Sequence, residues 1–250
     1  MNIQLVRHAT LRLQYMNRKF LIDPMLSPAG TLATTPNTPN PVPNPLVDLP
    51  MKASELLDAQ ALIVTHMHRD HFDDADHLLP RELPLFCQPV DRQRLEQHGF
   101  SDIRPVDGEL YWDGIGVSRT GGQHGRGEIG KLMAPVSGFV LRASGEPTLY
   151  VVGDSIWCEE VEQALETHRP EVAVVFAGAA QFLTGGPITM TGKDIELFAK
   201  KSPHTKIVVA HMEAWNHCLL SRADLRRYLQ ERQLDNQVHV PENGEWMEFE

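Results

Sequence analysis

Long apolar runs are absent from these 250 residues. No stretch approaches the ~18 residues that a membrane-crossing helix needs, and the opening MNIQLVRHAT lacks the apolar segment of a signal peptide. The expected setting is cytoplasmic, with no membrane partner. Cysteine is scarce as well. Cys87, Cys158 and Cys218 are odd in number, far apart and without CxxC spacing, which excludes a disulfide framework or a zinc ribbon and leaves reduced thiols. Basic charge is in deficit: 23 Lys and Arg against 33 Asp and Glu give a net charge of −10, which argues against nucleic acid and anionic lipid as partners. With 42% hydrophobic and 22% charged residues, disorder and fibre are excluded too.

Proline is unevenly spread. Seven of the prolines fall between Ser27 and Pro50, a segment that can be neither helix nor inner strand because proline fixes φ and removes a donor. It reads equally as a passive surface loop or as an active-site lid, since long ordered loops are often functional.

The rest of the chain alternates in character. Strands are expected around Ile3–Val6, Leu11–Tyr15 and Phe20–Ile22, then at Ala61–Val64 and Leu85–Gln88, with helical signals at Phe72–Leu79 and Arg92–His98. Val117–Thr120, Gly138–Arg142 and Thr148–Val152 read as a meander joined by loops containing glycine and proline. Helices over Glu159–Thr167, after Thr191 and after Ser221 then enclose strands at Val172–Phe176 and Lys206–Ala210. Thr191/Asp194 and Ser221/Asp224 mark two helix starts. The order β-rich, α/β, β-rich, α/β, without a linker, predicts an α/β (α+β) chain with two sheets packed as one domain over residues 1–250.

Histidine is the residue present in excess, twelve in all and clustered. The apolar run Ala61–Val64 ends at Thr65 and delivers His66-Met67-His68-Arg69-Asp70-His71. In an extended chain His66 and His68 point the same way, about 6.5 to 7 Å apart, and can grip one metal ion. Asp70 and His71 follow as the chain turns and can reach a second. Imidazole and carboxylate suit zinc and also manganese or iron. Exposed loop residues are the alternative, but three histidines and an aspartate within six positions at the end of a buried strand fit metal binding better. More ligands are then required downstream. His124, Asp154 and His211 each follow an expected strand, repeating the pattern of His66.

With HxHxDH followed by a His, an Asp and a last His, the sequence resembles the metallo-β-lactamase superfamily, and within it the UlaG-like branch of predicted metal-dependent hydrolases. The resemblance runs from Asp23 to His211. It implies a four-layer αββα sandwich, with His66, His68 and His124 on one ion, Asp70, His71 and His211 on the other, and Asp154 bridging. Asp23 would orient a histidine from behind, so the segment Ser27–Pro50 that follows Asp23-Pro24 would border the site and shape substrate entry. Asp70 and Asp154 would serve the chemistry, in which a hydroxide shared by the two ions attacks a lactone, ester or phosphodiester of a small molecule, and since relatives of this kind often assemble the resemblance also allows a homo-oligomer. Trp157, Trp215, Asn216 and His217 lie close in sequence to ligands and are candidates for the pocket wall. His211 rather than His217 is expected as the last ligand, because it stands directly at a strand end.

Three other readings compete. Leu5-Val6-Arg7-His8-Ala9-Thr10 resembles the opening of the histidine phosphatases, but an alternating strand follows it where that family has a loop and helix. On the hydrolase reading His8 is dispensable. Di-iron redox relatives of the same fold have Glu at the position of His68 and a flavin domain, and this chain has neither. A binding protein with degraded catalysis conflicts with the complete ligand pattern.

Overall fold

The computed structural model describes all residues, 1–250. One sheet contains β1 (Asn2–Arg7), β2 (Thr10–Tyr15), β3 (Arg18–Ile22), β4 (Ala61–Val64), β5 (Leu85–Cys87), β6 (Ile103–Pro105) and β14 (Trp246–Glu248), in the order β14-β1-β2-β3-β4-β5-β6. The other contains β7 (Glu109–Trp112), β8 (Ile115–Thr120), β9 (Gly138–Arg142), β10 (Leu149–Val151), β11 (Val172–Phe176), β12 (Lys206–Ala210) and β13 (Val238–His239), in the order β13-β12-β11-β10-β9-β8-β7. Five helices accompany them: α1 (Arg92–Gln97), α2 (Gly127–Met133), α3 (Glu159–His168), α4 (Gly192–Lys201) and α5 (Arg222–Glu231).

Alternation within the strands makes the layers. Ile63 of β4 and Val174, Phe176, Val208 and Ala210 of β11 and β12 point into a central core of 24 buried residues shared by both sheets. Their neighbours Leu62 and Val64 face the outer layer over the first sheet, whereas Ala173, Val175, Ile207 and Val209 face α3, α4 and α5. Strands apolar on both faces are what a sheet covered on both sides requires. Thr191 and Ser221 cap α4 and α5 by accepting from the backbone N–H of Asp194 and Asp224.

Strand direction positions the site. β3, β4 and β5 run parallel, as do β10, β11 and β12, while β8 is antiparallel to β9, which is antiparallel to β10. The C-terminal ends of β4, β8, β10 and β12 therefore open on the same edge of the sandwich.

Some elements escape the sequence reading. α2 lies where a glycine-rich loop is expected; Gly127 and Gly130 weaken its helical signal, and none of its residues is buried. The expected helix at Phe72–Leu79 is only a short 3-10 turn, Asp74–Leu78, begun by Asp73 accepting from the Ala75 N–H. The edge strands β6, β7, β13 and β14 span only two to four residues each and carry no local pattern.

Tyr15 ties the two sheets together. It is fully buried, and its hydroxyl lies 3.1 Å from the Leu141 carbonyl and 3.0 Å from that of Pro147. Tyr15→Phe should lower the unfolding free energy by about 1–2 kcal/mol, because it leaves those carbonyls without their donor. Urea denaturation checks this, with the midpoint falling at an unchanged slope.

Candidate metal centre

The chain leaves β4 through Thr65, whose N–H and hydroxyl both donate to Asp23, at 2.7 Å each. Asp23 has left-handed backbone, φ 45°, immediately after β3. Its Oδ2 is also 2.8 Å from Nδ1 of His71. One buried carboxylate thus holds both ends of the Thr65–His71 loop and turns the His71 Nε2 away from itself. His124 is oriented in a similar way, with Nδ1–H donating to the Ile188 carbonyl at 2.8 Å.

Two groups of potential ligands meet at Asp154, beside a third of His8, His211 and Cys218. Ligand atoms of His66, His68 and His124 lie within 4.8 Å of one another, and so do those of Asp70, His71, Asp154 and His211. Asp154 stands between the groups: its carboxylate is 3.3 Å from His124 Nε2, 3.2 Å from His71 Nε2, 3.3 Å from His211 Nε2 and 3.9 Å from His66 Nε2. These contacts are not hydrogen bonds. His71 Nε2, His211 Nε2 and both Asp154 oxygens are buried and lack a hydrogen-bond partner. Native proteins rarely leave such atoms orphaned, and convergent carboxylate and imidazole donors fit divalent cations. Electrostatics agree. Burial alone would raise the Asp154 carboxyl, but His211, His71 and His124 hold it well below the usual carboxylate range. Burial opposes charge on His71, yet Asp154, Asp70 and Asp23 raise it well above the ordinary imidazole range. The pocket thus calls for positive charge to balance its carboxylates.

Asp70 collects imidazoles from within its group and from outside it. Its Oδ2 is 3.3 Å from His211 Nε2, 3.4 Å from His8 Nε2 and 3.6 Å from His217 Nε2. His8, dispensable on the sequence evidence, lies against the candidate ligands. Its signal, a histidine in a strand-to-strand turn, is hidden by the misleading Arg-His pair. Arg7 explains why the phosphatase reading fails. Its guanidinium is buried and donates to the carbonyls of Met25, Ser27 and Val47 at 2.8 to 3.0 Å, leaving it committed to the backbone instead of a phosphate.

The pocket-wall candidates divide. Trp157 turns away: its indole lies edge-on to Phe198, 6.0 Å between centroids, because the chain there is already entering α3 and faces the helix-side core. Trp215 packs with Met25 and Leu32, lies 6.1 Å from the His8 ring, and donates from Nε1 to Thr35 Oγ1 at 2.7 Å. Asn216 is fully buried and holds the proline-rich segment. Its Nδ2 lies 2.7 to 3.1 Å from Thr34 Oγ1, Thr35 O, Thr38 Oγ1 and Asn40 O, and its Oδ1 accepts from Asn44 at 2.9 Å. Arg7 and Asn216 thus pin the segment 27–50 from two sides.

Comparison with known proteins places this geometry among relatives. The family described as "Beta-lactamase superfamily domain" matches residues 18–212. UPF0173 protein YddR of Bacillus subtilis is 42% identical, with all of both chains covered. A UPF0173 metal-dependent hydrolase of Azorhizobium caulinodans is 28% identical over 76% of this chain and 77% of its own. Among solved structures, the isothiocyanate hydrolase from Delia radicum gut bacteria is 35% identical, with TM-score 0.95 over 100% of this chain and 99% of that one.

Asn216→Ala should release the wall by removing its hub. The expected outcome is a loss of about 1–3 kcal/mol and faster proteolytic cleavage within residues 34–44, read by limited proteolysis of the intact chain.

Proposed function

This chain belongs to the beta-lactamase superfamily, within the UPF0173 group that includes metal-dependent hydrolases, and from that premise we propose that it hydrolyses a small electrophilic molecule using two divalent cations. One observation carries the reading: the unpartnered Asp154 carboxylate stands between two sets of convergent imidazole and carboxylate donors. His66, His68 and His124 would hold one ion, Asp70, His71 and His211 the other, with Asp154 serving both. Zinc is the first candidate, manganese and iron the others. When bound, such a pair supplies a water of lowered pKa and a Lewis acid that polarises the bond under attack.

The protein's part is orientation and exclusion. Asp23 and the Ile188 carbonyl fix the rings of His71 and His124, so that little reorganisation remains when substrate arrives. The wall of residues 27–50, pinned by Arg7 and Asn216, bounds the site and limits water. His217, beside Asp70 but outside both ligand groups, is the side chain for meeting substrate or leaving group. No helix is long and apolar enough to cross a membrane.

Lactones, esters and phosphodiesters are the substrate classes the sequence suggests. Likeness along the full length to an isothiocyanate hydrolase adds a second reading, water addition to the central carbon of an isothiocyanate. His68, where redox relatives have Glu, favours hydrolysis over redox chemistry.

Metal analysis of purified protein should give about two divalent ions per chain; one or none would refute the two-ion centre. Asp154→Asn should lower kcat/KM on the best substrate of a lactone, ester, phosphodiester and isothiocyanate panel by more than about 100-fold, with circular dichroism unchanged. His211→Ala should lower occupancy by one ion, whereas His217→Ala should keep both and change the kinetics. Paired metal titrations and rate measurements check the assignment, and the opposite pattern would reverse it.

A further inference from the structure

Arg7-His8-Ala9-Thr10 is the motif that hydrolysis by the seven ligands leaves unused. His8 occupies the turn between β1 and β2 in left-handed backbone, φ 59°, which is unfavourable for a residue with a side chain. It is completely buried. Its carbonyl accepts the N–H of His211 at 2.7 Å, its ring lies over the His211 ring with centroids 3.7 Å apart, and its Nε2 is 3.4 Å from Asp70 Oδ2. Through one residue the first sheet therefore touches two members of the Asp70, His71, Asp154 and His211 group, of which His8 is not itself a part.

The position of the ring proton follows from its surroundings. Nδ1 of His8 is buried and has no hydrogen-bond partner. A proton there would be an orphaned donor, while a proton on Nε2 finds the Asp70 carboxylate. A buried imidazole in this geometry is a donor aimed at one carboxylate oxygen.

The geometry points to His8 as a positioning residue for the second ion: it donates Nε2–H to Asp70 Oδ2 and buttresses His211 by ring and carbonyl, fixing both ligands before the ion arrives. His8, His211 and Cys218 also lie within 4.8 Å of one another, but His211 turns Nδ1 to Cys218 and Nε2 to Asp70 and Asp154, and His8 turns its Nε2 to Asp70 as well. The arrangement belongs to the second ion and not to a third site. Hydrogen bonds to carboxylate ligands set metal affinity by about 10- to 100-fold, which is the scale of effect to expect.

The inference rests on the two-ion reading, and the test separates the two. Wild type, His8→Gln, His8→Phe and His8→Ala are titrated with Co²⁺, following ion stoichiometry, affinity and the visible spectrum. Glutamine can present an amide N–H near the place of Nε2; phenylalanine keeps a ring without a donor. His8→Gln should retain two ions and a spectrum close to wild type. His8→Phe and His8→Ala should bind the weaker ion about 10- to 100-fold less tightly, with the first ion unchanged. In the zinc-loaded wild type, long-range ¹H–¹⁵N correlation should find the Nε2–H tautomer of His8, which needs no variant to fold. A Nδ1–H tautomer, wild-type affinity in His8→Phe, His8→Gln no better than His8→Ala, or three ions per chain would overturn the role of His8. Fewer than two ions in wild type would instead overturn the two-ion reading on which it rests.

Discussion

Two carboxylates buried at the junction of two sheets are the constraint around which the molecule is arranged. Asp70 and Asp154 have almost no contact with solvent, and a charge removed from water is costly unless something of opposite sign is brought to it. No Lys or Arg lies in ion-pair contact with either; imidazoles surround them instead. A lysine or arginine would neutralise the charge permanently. Imidazoles can be neutral donors of lone pairs, so the compensating charge is left to something that binds.

The scaffold serves this arrangement by direction. Parallel strands end together, and each ligand loop starts from a strand held on both faces, so donors from distant parts of the chain arrive at one place with little freedom. Asp23 shows the economy of the design: by accepting from Thr65 and facing His71 it connects the β3 end, the β4 end and a ligand ring with one side chain. The central core lies directly beneath, where Phe176 is within 5.7 Å of both the His71 and His211 rings.

How much of this is legible in the sequence depends on whether the signal is local. His66, His68, Asp70 and His71 are legible because an extended chain fixes their relative directions at short range. His124, Asp154 and His211 are legible through a repeated grammar of apolar strand followed by a polar residue. Strands at Gly138–Arg142, Val172–Phe176 and Lys206–Ala210 have the bounds expected of them, since runs buried on both faces are continuous in sequence. His8 is not legible in its role, because what gives it meaning is 62 residues away in Asp70 and farther still in His211. Arg7 reads as an anion binder until the carbonyls of Met25, Ser27 and Val47 are seen around it. Trp157 follows Asp154 by three residues, but the start of α3 decides where its indole points.

The candidate ligand atoms come from residues 66 to 211 and from both sheets. No fragment of the chain holds more than part of the set, and a partly folded chain with the sheets undocked cannot assemble it. A cation that binds only the docked state stabilises that state in proportion to the logarithm of its concentration over its dissociation constant. On the two-ion reading, metal supply would govern the survival of the protein as well as its chemistry: starved of the ion, the folded population would thin and degradation would claim what catalysis cannot use.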